Sequence, residues 1–396
     1  MTRAASRASH GSQDERYMRL ALALARRGLG ETSPNPVVGA VVVAGGRIVG
    51  RGYHRRAGGP HAEAAALRHA GPRARGATLY VTLEPCNHTG HTPPCCDAIL
   101  DAGIARVVAA MKDPNPLTNG RGIRRLRRAG VRVTTGVLDA EARRLNAPFV
   151  KCMTARMPWV VAKIAQSLDG KIATTTGQSQ WISSPQARRF AHQLRRDADA
   201  VVIGVNSVLT DDPLLTARDP DRPARRRRPV KIIVDSRLRT PLARRCFSSA
   251  SPAPTIVATT VTAARKRAAL ARRGVTVLTL PPSGGRVPLA KLFRLLARRY
   301  ELTSVLIEGG GELLAGALAE RLVDRLVCIT APMVIGGKTA PSSVGGPGVP
   351  HLREAIRLTG SCGLADPCVY WIGTDLVIDA AVVYPRSGSR AHGLTG

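Results

Sequence analysis

Aromatic residues are the scarcest class in this chain of 396: three Trp, six Tyr and four Phe, 3% of the whole. Proteins that hold single-stranded bases stack them on such rings, so a base-stacking groove is excluded as the main design. Lysine is nearly as rare. Only eight of the 59 basic residues are Lys, and the Arg that makes up the rest is scattered in short runs such as "RARG", "RRLRRAG" and "ARKRAALARRG". A formal net charge of +32 taken alone suggests a nucleic-acid partner. Scattered like this among abundant Ala and Gly, it reads instead as a compositional bias. The densest run, Arg225 to Arg228, lies in the Pro-flanked "DPDRPARRRRP", the pattern of a solvated loop. Long apolar runs are missing too, so no bilayer crossing is expected. The first sixteen residues, "MTRAASRASHGSQDER", contain no apolar signal core. These absences predict a cytoplasmic protein without membrane or specific nucleic-acid partners, with residues 1–13 as a disordered tail.

What is present is a globular chain, 44% hydrophobic and long enough for two domains with separate cores. From residue 14 the pattern runs helix ("DERYMRLALALARRG"), two apolar strands joined by Gly-Gly, then helices alternating with the strands "ATLYVTLEP", "ARVVAAMKD" and "VRVTTGV". This predicts an α/β domain over 14–150, its sheet covered on both faces. A second α/β domain is predicted over 151–385. Its strands are "AVVIGVNSVL", "VKIIVDS", "TIVATT", "VTVLTL", "SVLIEGGG" and "LVCITAPMVIGG", and a polar tail follows over 386–396.

Of the eight cysteines, Cys86, Cys95 and Cys96 crowd into one loop beside His88 and His91. That clustering favours a metal over disulfides. Cys152, Cys246, Cys328, Cys362 and Cys368 are scattered and read as reduced thiols. His61 and Glu63 follow Pro60 at a loop-to-helix junction, Cys86 follows Pro85 at a strand end, and Cys95 follows two prolines at a helix start. One His and two thiolates suit Zn²⁺ with a fourth position open for water. Two residues away on a helix, Glu63 does not share the ligand face of His61. It is available to carry a proton from that water to a leaving amine. His-x-Glu with Pro-Cys…Cys is the pattern of zinc nucleobase deaminases. His88, His91 and Cys96 compete as ligands. Cys96 is rotated away from Cys95 on the helix, and Cys95, nearer the helix start, is the preferred donor.

The spacing narrows the class. Eight residues separate Cys86 from Cys95, and the segments "SPNPVVGAVVV", "GYHRRAGGPHAEAAAL", "TLYVTLEPCNHTGHTPPCCDAIL" and "VVAAMKDPNP" resemble the deaminase half of the bifunctional riboflavin-biosynthesis deaminase/reductase family. Downstream, "AKIAQSLDGKIA", "GQSQWISSPQAR", "GVNSVLTDDPLLTAR", "IVDSRLRTP" and "VLIEGGGELLAGAL" resemble its reductase half. The resemblance implies a cytidine-deaminase-like N-terminal domain followed by a dihydrofolate-reductase-like C-terminal domain. It also implies Zn²⁺ and NADPH as cofactors, a homo-oligomer, and small pyrimidine ribonucleotides as substrates.

By the same resemblance, Asn35, His54 and His91 contact the deaminase substrate. The family carries Arg or Lys where this chain has His91, which makes a phosphate contact there weaker or pH-dependent. In the reductase half, Ala165, Trp181, Ser207, Asp211 and Ser236 would contact NADPH. So would the run Gly310, Gly311, Glu312, Leu313, Leu314, Ala315 and Gly316. Here a strand running into three glycines and a helix offers backbone N–H groups to a dinucleotide phosphate. Ser179, Arg195, Leu215, Arg218 and Glu308 would contact the substrate, the two arginines through its phosphate. Lys163, Asp211 and Glu308 are expected near the carbonyl being reduced. The charge leaves one rival, a tRNA base deaminase with an accessory domain, which the cysteine spacing opposes.

Overall fold

A computed structural model of the chain describes residues 3–90, 92–217, 228–248, 253–360 and 367–385, with 3–12 described by backbone alone. It divides into two compact units that change over between Trp159 and Val160.

The first unit runs α1 (Arg3–Arg26), β1 (Gly39–Ala44), β2 (Arg47–Tyr53), α2 (Ala62–Ala70), β3 (Thr78–Leu83), α3 (Cys95–Asp101) and β4 (Arg106–Met111). It continues with α4 (Arg121–Arg128), β5 (Arg132–Thr135), α5 (Asp139–Leu145) and α6 (Ala147–Ala155). Strand order is β2-β1-β3-β4-β5. The first three strands are antiparallel neighbours, and β3, β4 and β5 run parallel. Gly45 and Gly46, at φ 54° and 75°, make the tight turn that two left-handed residues allow between hairpin strands. Near-continuous burial of β1, β3 and β4 follows from their largely apolar runs in a mixed sheet covered by helices. Helix α2 lies almost on the backbone of β2. A Cβ on Gly50 would stand 2.3 Å from Ala66 O and one on Gly52 2.4 Å from Ala62 O, so these glycines set how closely the start of α2 approaches the sheet.

The second unit begins β6 (Trp159–Ser167), α7 (Pro185–Asp197), β7 (Ala200–Gly204), α8 (Val205–Asp211), β8 (Val230–Val234), β9 (Thr255–Thr259) and α9 (Ala264–Ala271). Next come β10 (Val275–Thr279), α10 (Leu289–Tyr300), β11 (Ser304–Glu308), α11 (Gly311–Ala319) and β12 (Arg325–Ala331). The last strands are β13 (Arg357–Gly360), β14 (Cys368–Ile372) and β15 (Asp375–Val383). Their order is β10-β9-β8-β7-β11-β6-β12-β15-β13, with β14 also on β15. Strand β6 is therefore central, and Lys163 and Glu308 lie on the adjacent strands β6 and β11.

Three features differ from the sequence reading. Helix α1 begins at Arg3 rather than near residue 14, because Ala and Arg are good helix formers and extend it towards the N-terminus. The segment "AVVIGVNSVL" is strand only as far as Gly204; Val205 opens α8, whose apolar residues look the same in a short window whichever state they adopt. The antiparallel end of the second sheet, β13 to β15, is absent from the sequence reading, although β14 is the apolar run Cys368–Ile372 and β15 is largely apolar. The expected tail over 386–396 lies outside the described residues.

Candidate active sites

Two helix starts and one strand exit meet in the first unit. His61 is the N-cap of α2, Cys95 is the first residue of α3, and Cys86 lies three residues beyond the end of β3. Their donor atoms all lie within 4.8 Å of one another. His61 Nδ1 is 3.1 Å from Cys95 Sγ and 3.6 Å from Cys86 Sγ. The backbone N–H of Cys95 donates to Cys86 Sγ at 3.3 Å. Cys96 is turned away, its Sγ 3.7 Å from the carbonyls of Pro85 and Gly122, as the helical rotation between adjacent residues requires.

The cluster favours one anionic sulfur. Cys86 is held down at about 4, first by a hydrogen bond from the Cys95 thiol and then, against the cost of burial, by His61. Cys95 is pushed up because its proton is bound to Cys86, with burial adding to the effect. Glu63 is only 4% exposed. Burial raises its carboxyl well above the usual range, His61 pulls it partly back, and the Cys95 side chain hydrogen-bonds to it.

Asn35 and His54 join this group. His54 Nδ1 is 3.0 Å from Pro60 O, which can only accept, so that nitrogen carries the proton. Nε2 then accepts from Asn35 Nδ2 at 3.2 Å. Burial lowers the His54 pKa, in keeping with this neutral tautomer. The His54 ring meets that of His61 edge-on, centroids 5.5 Å apart.

A cleft of about 1290 Å³ opens in the second unit. Glu308 at the end of β11 accepts from Arg195 Nε at 2.6 Å and stands 3.8 Å from Lys163 Nζ. Burial pushes Glu308 up, but Arg195 and Lys163 outweigh it and hold the carboxyl below its ordinary value. Lys163 is lowered by burial, against the pull of Glu308. Asp211 accepts from Ser179 Oγ at 2.8 Å. Gly309 and Gly310, at φ 79° and 80°, turn the chain from β11 into α11. A Cβ on either would stand 3.4 Å from Ser207 Oγ, so bare backbone faces that hydroxyl on the cleft wall.

Comparison with known proteins names both halves. Residues 158–366 match the RibD C-terminal domain, and residues 11–111 match the cytidine and deoxycytidylate deaminase zinc-binding region. The riboflavin biosynthesis protein RibD of Aquifex aeolicus is 47% identical over 87% of this chain and 93% of its own length. That of Escherichia coli is 42% identical over 91% and 100%. The chain belongs to the RibD family. Among solved structures, Acinetobacter baumannii RibD superposes with a TM-score of 0.84 at 35% identity, covering 94% of this chain and 99% of that one. The diaminohydroxyphosphoribosylaminopyrimidine deaminase/5-amino-6-(5-phosphoribosylamino)uracil reductase of Thermotoga maritima gives 0.80 at 33%, covering 94% and 100%. The fold is thus a cytidine-deaminase-like domain followed by a RibD C-terminal domain of the dihydrofolate-reductase type.

Most of the residues carried over from the RibD pattern meet in space. Lys163, Ala165, Ser179, Trp181, Arg195, Ser207, Asp211, Leu215, Ser236, Glu308, Gly310, Gly311, Glu312, Leu313, Leu314 and Gly316 all line the cleft. Ala315 does not, because α11 turns it out of the lining. His91 and Arg218 lie outside the described residues. Arg195 differs from the expected phosphate clamp: its Nε is on Glu308 and its Nη1 donates to Thr216 O at 3.0 Å.

Several residues escaped the sequence reading. Glu84 accepts backbone N–H bonds from Asp113 at 3.2 Å, Gly120 at 2.8 Å and Ile123 at 3.2 Å, tying the loop beyond β4 to the strand exit that carries Cys86. Its signal was in "EPC", directly before the metal cysteine. Arg188 and His192 line the cleft from α7 on the same face as Arg195, and that spacing was visible in "ARRFAHQLR" as an i, i+4, i+7 stripe.

Proposed function

We propose that the two units act in turn on one pyrimidine ribonucleotide. The first removes the 2-amino group of 2,5-diamino-6-ribosylamino-4(3H)-pyrimidinone 5′-phosphate by hydrolysis. The second reduces the ribosyl chain of the product with NADPH, giving 5-amino-6-ribitylamino-uracil 5′-phosphate. One observation carries the reading: a buried carboxyl, Glu63, stands against a His-Cys-Cys donor set in a chain that also holds the Lys163–Glu308–Arg195 cleft. The rival, a tRNA base deaminase, is not favoured, because the RibD relatives match across both halves.

The donor set suits zinc. One imidazole nitrogen and two sulfurs converge, with one sulfur favoured as thiolate, and this is the ligand chemistry of a three-residue catalytic site. His61, Cys86 and Cys95 would hold the ion, which when bound lowers the pKa of water to roughly 7 in favourable cases. Glu63 takes the proton of the attacking water and delivers it to the departing amine. The C–O bond forms first, the adjacent ring nitrogen taking up the displaced electron pair and a proton. The protonated amine then departs as ammonia when the C–N bond breaks and a lone pair of the added oxygen forms the new carbonyl. The burial of Glu63 against the donor set supports a carboxyl that passes a proton from water to the amine. Asn35 and His54, locked to each other, would orient the pyrimidine ring.

The cleft suits a dinucleotide: the Gly309–Gly310 turn exposes backbone beside Ser207 where the helix start favours phosphate. NADPH when bound supplies the hydride for C1′ of the sugar. Lys163, Asp211 and Glu308 are the groups proposed to face that sugar, and Leu215, Arg195 and Arg218 to hold the rest of the substrate. Among the described residues no helix is long and apolar enough to cross a membrane. A cytoplasmic location is supported by the free cysteines of the described chain. Exposed Val369 and Trp371 on β14 support self-association, testable by sedimentation.

The test of the main reading is ammonia release from the diaminopyrimidine phosphate, with metal content measured on the same sample. Zinc-loaded protein that releases none would refute the deaminase assignment.

A further inference from the structure

One aromatic ring in the cleft is held in an unusual way. Trp181 lines the cleft at 66% exposure, a high value for an indole, and its ring nitrogen has no hydrogen-bond partner among the described residues. The chain on either side is tied down. Ser179 Oγ donates to Asp211 at 2.8 Å, Ser184 N donates to Asp375 at 2.7 Å, and Ser184 Oγ caps α7 by accepting from Ala187 N at 3.2 Å. The backbone on either side is therefore anchored, and the indole itself has one side-chain contact among the described residues. The Arg188 guanidinium lies over the indole, its carbon 4.5 Å from the ring centroid, and its Nη1 donates to Ser183 O at 2.7 Å. A guanidinium anchored to backbone and stacked on a ring fixes both its position and its tilt.

We propose that Arg188 is a positioning residue for the dinucleotide: it holds Trp181 out in the cleft as a platform on which a flat ring of the cofactor stacks. The inference rests on the NADPH reading of the cleft. The guanidinium covers part of one indole face, and the remaining area is what the ligand meets. Preorganisation of this kind lowers the cost of ordering a side chain at the moment of binding. Its loss should weaken cofactor binding without touching the chemistry.

The test is a double-mutant cycle on the full chain. Arg188→Met should raise the KM for NADPH about fivefold, the scale of a cation–π contact at an accessible site, with kcat and the KM for the ribonucleotide near wild type. Trp181→Leu should raise it more. If Arg188 acts through the indole, adding Arg188→Met to Trp181→Leu should produce no further loss. Arg188→Lys, which keeps a cation over the ring, should recover part of the affinity. NADPH quenching of indole emission should fall in Arg188→Met, and unchanged ammonia release and melting temperature will show that the variants are folded. A normal KM for NADPH in Arg188→Met overturns the inference, as does full additivity with Trp181→Leu. So does a rise confined to the KM for the ribonucleotide, which would make Arg188 a substrate contact. A wild-type enzyme that fails to bind NADPH overturns the cofactor reading itself, a result that no Arg188 variant can mimic.

Discussion

The two sites are built on opposite plans. In the deaminase unit the proposed metal donors and the proposed proton carrier all fall between His61 and Cys95, on two helix starts and a strand exit, and Cys95 and Glu63 are nearly inaccessible. In the reductase unit the charged centre joins Lys163, Arg195 and Glu308, brought together by strand order across a cleft of about 1290 Å³. A compact site of this kind is a motif, and a substitution in it acts on chemistry. The dispersed site is a product of topology, and a substitution there acts on chemistry and folding together.

The sharpest way to break the comparison is to remove one metal donor. Cys95→Ser should lose the ion and with it ammonia release, while Cys96→Ser, whose sulfur faces carbonyls of Pro85 and Gly122, should keep about one zinc per chain. Metal analysis of the two purified variants decides it, and full zinc in Cys95→Ser would mean that the donor set is misassigned. Glu63→Gln comes next. It keeps size and hydrogen bonding but cannot carry the proton, so deamination should fall by about 10²–10⁴. NADPH oxidation with the deaminated substrate should stay near wild type, and loss of both activities in a folded variant would make the two sites one.

Third, Glu308→Ala leaves the partly exposed Lys163 and Arg195 on the cleft wall without their counter-charge. The loss should fall below the roughly 3–5 kcal/mol typical when one partner of a fully buried pair is removed. Reduction should disappear with a lowered melting transition, while zinc and ammonia release persist. The sign of the pH effect follows from the depressed carboxyl. The stability contributed by Glu308 is present above the ordinary carboxylate value of 4.5 and drains away as pH falls through its lower folded value. Acid titration of the reductase unit should therefore be shallower in Glu308→Gln than in wild type. The smallest expected effect concerns the charge: binding to tRNA or single-stranded DNA should be weak, sequence-independent and abolished by moderate salt. Salt-resistant binding of one tRNA would revive the rival reading.

The same contrast explains what could be read from the sequence. Helical rotation separated Cys95 from Cys96 and nearness to the helix start favoured Cys95; the two sulfurs do point apart, Cys95 Sγ towards His61 and Cys96 Sγ towards the carbonyls of Pro85 and Gly122. Strands β1, β3 and β4 of the first unit were legible because each is a nearly continuous apolar run. The reductase residues were reached through resemblance, since nothing local links Lys163 to Glu308. The contacts that Arg195 makes to Glu308 and Thr216 were not legible either, because they depend on which strand lies beside which. Strands β14 and β15 carried an apolar signal that the sequence reading passed over, while β13, four residues long, carried little.

Glu84 deserves a reading in terms of sequence drift. Its carboxylate is satisfied by three main-chain N–H groups, at Asp113, Gly120 and Ile123. A main-chain donor is supplied by every residue except proline, so positions 113 and 123 can change side chain without weakening this tie. Gly120 is held to glycine for a different reason, its φ of 78°. Selection on the loop's attachment to the metal site therefore falls almost wholly on one glutamate at the far end of the contact. For the tie to Glu84 itself, proline is excluded at 113 and 123 and glycine is kept at 120, while a single change at Glu84 would release all three donors at once.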